Sequence, residues 1–202
     1  MFDLEEFAIT AGYIGLFIII FAETGLLIGF FLPGDSLLVT TGLLAQRGHF
    51  SVFILIPLLI VAAVAGDAVG YQIGRAAGPR IFSREDSRWF KRAHVERARA
   101  FYDKHGGKTI VIARFLAIVR TFAPTVAGAA EMGYSRFVFF NVFGGALWVT
   151  SMVLLGYAFG STLPNPDLLF IPAVGLVIIA SLAPGFWHLY RERRARNDSP
   201  SA

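Results

Sequence analysis

Five ionisable side chains fall inside or at the edge of long apolar stretches: Glu23, Asp35, Asp67, Arg114 and Arg120. An arginine or aspartate at the centre of a bilayer costs roughly 2.5–3.5 kcal/mol on insertion scales, so such residues face a cavity or one another. Two kinds of chemistry fit this set. In one, three acids and two arginines neutralise each other and hold broken helices together. In the other, the arginines form an anion site and the acids take up and release protons. The second reading is favoured for Arg114 and Arg120. It stands level with the first for Glu23 and Asp35. Asp67 lies among Gly66, Gly70, Gly74 and Gly78, whose four-residue spacing lets another helix approach closely, so a structural role is favoured there. Asn141 and Trp148 are candidates to line the same cavity, with packing as the plainer alternative.

Other chemistries are excluded or weak. The chain has no Cys, which removes disulfides, thiolate zinc sites and iron–sulfur clusters. Its four His (His49, His94, His105, His188) have no helical ligand spacing, so no metal is expected. Gly34-Asp35-Ser36-Leu37 matches a lipase signature, but a serine nucleophile needs a positioned base, and the nearest His in sequence is His49. The paired His and basic clusters of membrane phosphatases are missing, and no Walker-type phosphate loop occurs. The expectation is a protein that is not an enzyme and carries no cofactor.

The elements that must position the charges follow from composition. Of 202 residues, 55% are hydrophobic and 16% charged, against about 25% charged in a soluble domain. The apolar stretches are 7–32, 37–45, 50–74, 110–130, 137–160 and 168–190. About 20 apolar residues cross a bilayer. Phe50–Gly74, Phe137–Gly160 and Leu168–Tyr190 meet that length, Leu37–Ala45 does not, and Phe7–Leu32 contains Glu23 and ends in the turn signal Pro33-Gly34-Asp35. Arg75–Lys108 holds ten basic and four acidic residues, and the tail from Arg191 holds four and two. Both segments should therefore be cytoplasmic. A polybasic nucleic-acid arm is disfavoured, because the basic segments adjoin apolar stretches. The acidic start carries no Lys or Arg before Arg47, so no secretory signal is expected.

Three apolar stretches separate the two basic segments, and an odd number of crossings would put the tail outside. One stretch must enter and return. Ile110–Ala130 is the candidate, since it holds both arginines with Pro124 and Gly128. A gapless shift of 86 residues places Gly42 on Gly128, Phe53 on Phe139, Gly70 on Gly156, Tyr71 on Tyr157 and Gly74 on Gly160. The expected fold is thus an all-α polytopic membrane protein, a single integral domain over 1–202. It is an inverted repeat of two re-entrant helical hairpins, near Leu16–Gln46 and Ile110–Glu131, each followed by a transmembrane helix. Repeat 1 covers about 16–74, the basic loop 75–108, repeat 2 about 109–160, and a last span 168–190. Inverted repeats place a transport site near mid-membrane. Within the loop, Ser83-Arg84-Glu85-Asp86 resembles a capping box that starts a helix running to His105, lying on the inner leaflet or in solvent.

The motifs resemble the DedA family of bacterial inner-membrane proteins, whose domain eukaryotic lipid scramblases share. The matching segments are Phe31-Leu32-Pro33-Gly34-Asp35, Gly66 through Arg75, and Ala113-Arg114-Phe115 through Arg120-Thr121-Phe122-Ala123-Pro124-Thr125-Val126-Ala127-Gly128. Phe137, Asn141, Gly145, Trp148 and Gly156-Tyr157 continue the likeness, which covers about residues 15–160. The resemblance implies two re-entrant hairpins and transport of lipid-linked phosphate, notably recycling of undecaprenyl phosphate. It puts functional weight on acids matching Glu23 and Asp35 and on arginines matching Arg114 and Arg120. Many members have Pro where this chain has Ala117, so Pro124 is expected to do more of the helix breaking.

The function expected is a flippase for an anionic lipid carrier, driven by the proton gradient. Arg114 and Arg120 would bind the phosphate, and Glu23 or Asp35 would accept the proton that drives its release. On a straight helix the two arginines diverge by about 120° and lie about 9 Å apart along the axis. A break is needed to turn both into one cavity. The expected partners are membrane lipids and a polyprenyl phosphate, with no nucleic acid, and a homodimer is compatible with the sequence. A non-transporting scaffold is the alternative, and a lipid-modifying enzyme a weaker one.

Overall fold

Long runs of Leu, Ile, Val, Phe and Ala favour helix wherever glycine and proline do not interrupt them, and the interruptions set the architecture. In the computed structural model, which describes residues 4–26, 34–82 and 106–162, the chain forms six helices. They are α1 (Leu4–Gly25), α2 (Gly34–Gln46), α3 (Val52–Phe82), α4 (Lys108–Ala113), α5 (Ala117–Ala129) and α6 (Tyr134–Thr162). The capping-box segment at 83–86, the helix to His105 and the span 168–190 lie outside the described residues.

Among the described residues three helices are long and apolar enough to cross a membrane, over 4–25, 52–78 and 134–160. The second begins two residues after the start of the expected span 50–74 and runs four past its end, and the third contains 137–160 and begins three residues earlier. The first was expected to contribute its later half to a hairpin. α1 is bent at Gly12, whose φ of 59° with ψ of −168° is open almost only to glycine. The bend divides α1 into a short leading turn and an arm from Tyr13 to Gly25.

α2 is buried almost all round, from Gly34 and from Ser36 through Ala45. A helix apolar on every side belongs in a core. Its hydroxyls are satisfied internally: Thr40 donates to the Ser36 carbonyl at 2.8 Å and Thr41 to the Leu38 carbonyl at 3.0 Å. α2 packs on α6, and α3 packs on α1, α5 and α6. Around this centre, Leu16, Ile20, Leu37, Leu38, Leu55, Leu59, Val149 and Val153 form the main core. A second cluster joins Tyr71, Ile110, Ala127 and Phe137. Ile14, Phe53 and Phe139 stand on the outside, 77%, 90% and 68% exposed, an apolar surface suited to lipid.

Glycines set the helix spacing. A Cβ on Gly42 would sit 2.1 Å from the Val153 carbonyl oxygen, and one on Gly156 2.0 Å from that of Val39. In the other half, Gly128 meets the Tyr71 carbonyl at 2.0 Å and Gly74 that of Thr125 at 1.9 Å. The contacts are reciprocal, and Gly42 and Gly128, like Val39 and Thr125, stand 86 positions apart. The long-helix partners are displaced by one helical turn from a strict 86-residue match. The glycine row of α3 is shared: Gly66 receives α1 at Thr24, while Gly74 and Gly78 receive α5. That is the packing role expected of it.

The chain breaks between the two arginines and not at Pro124. α4 ends at Ala113, Leu116 is extended (φ −109°, ψ 103°), and α5 begins at Ala117. Pro124 sits inside the continuous α5. The turn 114–116 breaks the helix without a proline, and Pro124 is tolerated within it, in contact range of Gly70.

Candidate substrate site: a buried cluster of carboxylates and arginines

Each charged side chain comes from a different local setting. Glu23 stands in the last turn of α1, Asp35 at the second residue of α2, and Asp67 midway along α3, directly after Gly66, the first glycine of its row. Arg114 lies in the turn after α4 and Arg120 in the first half of α5. The break at 114–116 gives the two arginines different local axes, which a straight helix would not do. Both guanidinium groups lie over the Trp148 ring, Arg114 at 5.6 Å and Arg120 at 4.8 Å from its centroid. Cations over an indole face are electrostatically favoured.

The arginines are held differently. Arg120 donates from Nη1 to Asp35 Oδ1 and from Nη2 to Glu23 Oε1, each at 2.5 Å. Trp148 Nε1 also donates to Asp35 Oδ1, at 2.9 Å. Arg114 works through one nitrogen: Nη1 reaches Asp67 Oδ2 at 2.6 Å, Asn141 Oδ1 at 2.6 Å and the Asn141 carbonyl at 3.3 Å. Asn141 Nδ2 in turn donates to the Val64 carbonyl at 3.1 Å, tying α6 to α3. Glu23, Asp67 and Arg114 are no more than 5% exposed. Glu23 Oε2 and Arg114 Nε and Nη2 are buried without a hydrogen-bond partner among the described residues.

These groups border one small cavity of about 20 Å³, lined by Glu23, Thr24, Asp67, Arg114, Arg120 and Trp148 together with Thr121 and Pro124. That is room for about one water molecule. With every group ionised the cluster carries one excess negative charge, three acids against two arginines. A buried cluster of this kind is a poor source of stability, since desolvation offsets much of the Coulomb gain. What it can do is exchange: an anion can replace a carboxylate on an arginine if a proton neutralises the displaced acid.

All five charges singled out in the sequence meet here. Trp148 lines the cavity, where packing is the plainer reading of the sequence. Asn141 does not; it grips Arg114 and α3 from behind. Asp67 does line the cavity, beyond the structural role favoured for it. Thr24, Thr121 and Gly34 were missed. Thr121 stands 86 positions after Asp35, so the repeat offset points to it. Thr24 gives no signal beyond following Glu23; it donates to the Ile20 carbonyl at 2.9 Å and the Ala63 carbonyl at 3.3 Å. Gly34 is needed because a Cβ there would lie 2.4 Å from Glu23 Oε2.

Residues 32–158, which include every charged member of the cluster but Glu23, match the VTT domain. The chain is 45% identical over 185 residues to Protein DedA of Escherichia coli, covering 91% of this chain and 84% of that one. It is 44% identical over 153 residues to Inner membrane protein YqjA of Escherichia coli, with 74% and 68% covered. An uncharacterized membrane protein of Mycobacterium tuberculosis is 40% identical over 190 residues, with 93% and 83% covered. No solved structure matches. With a VTT domain spanning most of the described residues and relatives this similar over most of their length, the chain belongs to the DedA family of membrane proteins.

Proposed function

We propose that the protein moves an anionic lipid carrier, undecaprenyl phosphate by family resemblance, between the leaflets of the bacterial inner membrane, using the proton gradient. The observation that carries this reading is the convergence of the acids of the first half, Glu23, Asp35 and Asp67, with the arginines of the second half, Arg114 and Arg120, in one ion-pair cluster beside a small cavity. Arginine suits phosphate because its planar fork donates paired, charge-assisted hydrogen bonds that lysine cannot copy. Protonation of Glu23 and Asp35 frees Arg120 for the phosphate, and deprotonation reinstates the ion pairs and expels it. The protein itself performs no bond chemistry on the lipid.

The hairpin plan fits this role. α2 and α5 are each 13 residues, about 20 Å, and the α1 arm from Tyr13 to Gly25 is as long. The hydrocarbon core is about 30 Å thick, so such arms enter and return rather than cross. The first hairpin then opens to the outside and the second to the cytoplasm, with the basic loop and the C-terminus cytoplasmic. Non-helical backbone at 114–116 is tolerated at depth because it borders a cavity.

A scaffold with internally neutralised charges is the rival. It is disfavoured by the unpaired Glu23 Oε2 and Arg114 Nε and Nη2, since a purely structural network gains nothing from buried polar atoms left unpaired. Purified protein in liposomes, with a labelled polyprenyl phosphate and with or without a pH gradient, separates the readings. Flip accelerated by the gradient is expected. No movement in either condition favours the scaffold, and release of inorganic phosphate favours an enzyme.

A further inference from the structure

Arg114 and Arg120 are not equivalent in their free hydrogen-bonding capacity. Arg120 spends one terminal nitrogen on Asp35 and the other on Glu23. Arg114 crowds all its bonds onto Nη1, which serves Asp67 and Asn141. Its Nε and Nη2 remain buried and unpaired among the described residues. In a planar guanidinium these two N–H groups lie side by side on one edge and point the same way. That edge is the fork that takes two oxygens of one phosphate group. Leaving two cationic donors unpaired in a protein interior is costly, and the cost is recovered when a ligand supplies acceptors.

We infer that the two arginines divide the work: the Nε–Nη2 edge of Arg114 is a standing subsite for two oxygens of a phosphate group, and Arg120 is a switch closed by Glu23 and Asp35. The inference rests on the transport reading for the ligand and adds which arginine binds and which one gates. Arg114 is held ready by Asp67 on α3 and Asn141 on α6, both of which contact the nitrogen that the phosphate does not use. The guanidinium lies beside Gly145, where a Cβ would be 3.4 Å from Nη2. The cavity in this state, about 20 Å³, admits one oxygen-sized group and not a whole phosphate, so the geometry is that of the closed switch.

Opening is set by charge. The ionisable groups lining the cavity are Glu23 from α1, Asp67 from α3, Arg114 from the turn after α4 and Arg120 from α5, and Asp35 from α2 stands behind them on Arg120. α6 contributes Trp148 and Asn141, neither of which titrates. A phosphate arriving at Arg114 meets a cluster already negative by one charge. Glu23 Oε2 is the unpaired acceptor for an incoming proton. A proton there and a second on Asp35 remove both counter-charges from Arg120, which then turns to the same phosphate. When the protons leave, the carboxylates reclaim Arg120 and the phosphate is held by Arg114 alone.

The test is equilibrium binding by the full-length purified protein in detergent, using farnesyl phosphate, inorganic phosphate and farnesol across a pH series. Farnesyl phosphate is expected to bind and farnesol to bind far more weakly. Arg114→Lys should lower affinity about tenfold at every pH, the loss of one charge-assisted hydrogen bond, without changing the shape of the pH profile. The combined variant Glu23→Gln, Asp35→Asn, Arg120→Gln removes the switch while preserving polar shape. It should still bind, weaker than the parent by no more than the loss of one charge-assisted contact, about tenfold, and lose its pH dependence. If that variant does not fold, Arg120→Lys replaces it and should alter the pH profile more than the affinity. Wild-type affinity in Arg114→Lys, or loss of binding in a folded switch variant, overturns the inference. Equal binding of inorganic and farnesyl phosphate supports the fork and assigns it to free phosphate rather than a lipid headgroup. Binding in the expected pattern without flip in liposomes sinks the transport reading and leaves the subsite standing. Flip that survives Arg114→Lys unchanged does the reverse.

Discussion

Glu23 has one carboxylate oxygen on Arg120 and the other against the Cα of Gly34, at the start of α2. That contact gives a substitution whose sign is diagnostic. In an ordinary helix, Gly→Ala stabilises by up to about 1 kcal/mol. At Gly34 the added methyl would lie 2.4 Å from Glu23 Oε2, so the carboxylate must leave Arg120 or α2 must shift. Overpacking of this kind costs about 1–3 kcal/mol, which outweighs the helix propensity. Gly34→Ala is therefore expected to lower the thermal midpoint and to abolish pH-dependent flip; a raised midpoint with transport intact would mean that Glu23 sits elsewhere. The identity of the five charges was legible in the sequence, because charge in an apolar run is expensive and has few explanations. Their pairing was not. Which acid takes which arginine depends on the backbone break at 114–116, and that Glu23 needs Gly34 depends on a contact between residues that a sequence pattern does not relate.

At the level of elements, glycine and proline were read as punctuation, and the outcome differed between them. Pro124 was given the breaking role, yet it lies inside α5, and the chain breaks at Leu116 instead. A proline removes one backbone hydrogen bond, and a helix held on both sides by α3 packing can absorb that loss. The bend at Gly12 was not anticipated, because a lone glycine in an apolar run carries no directional signal. It now makes a prediction. Backbone at φ 59° and ψ −168° costs a side-chain-bearing residue of order 1–3 kcal/mol. Gly12→Ala should destabilise the protein by about that amount, although nothing lies within 4 Å of the position where the methyl would sit. Thermal unfolding in detergent measures it. If α1 were straight the same change would stabilise, so a rise in midpoint would remove the bend and with it the hairpin arm beginning at Tyr13. The matching lengths of α2 and α5 were partly visible as short apolar runs, but their ends were fixed only by packing against α6 and α3.

At the level of the whole molecule, the acids of the cavity come from the first half and the arginines from the second, and the two halves clasp each other through reciprocal glycine contacts. The ion pairs thus join the two halves across the cluster, so the proposed transport would couple the charge state of the cluster to the closure of the halves. The 86-residue offset was readable because glycines at close helix approaches tolerate no substitute. The one-turn displacement of their long-helix partners was not readable, since it arises from how the halves settle together. Orientation in the bilayer was inferred from loop charge alone, and it can be tested with the exposed turns. The chain has no Cys, so single cysteines report cleanly. Gly42 is a poor probe, being pressed against Val153. His49, in the turn between α2 and α3, and Ser135, at the start of α6, are both exposed. With inverted hairpins, the first turn faces the outside and the second the cytoplasm. His49→Cys is expected to react with a membrane-impermeant maleimide in intact cells, and Ser135→Cys only after permeabilisation. Labelling of both from the same side would place the two hairpin mouths on one face, and a site reached from one face only cannot alternate between leaflets.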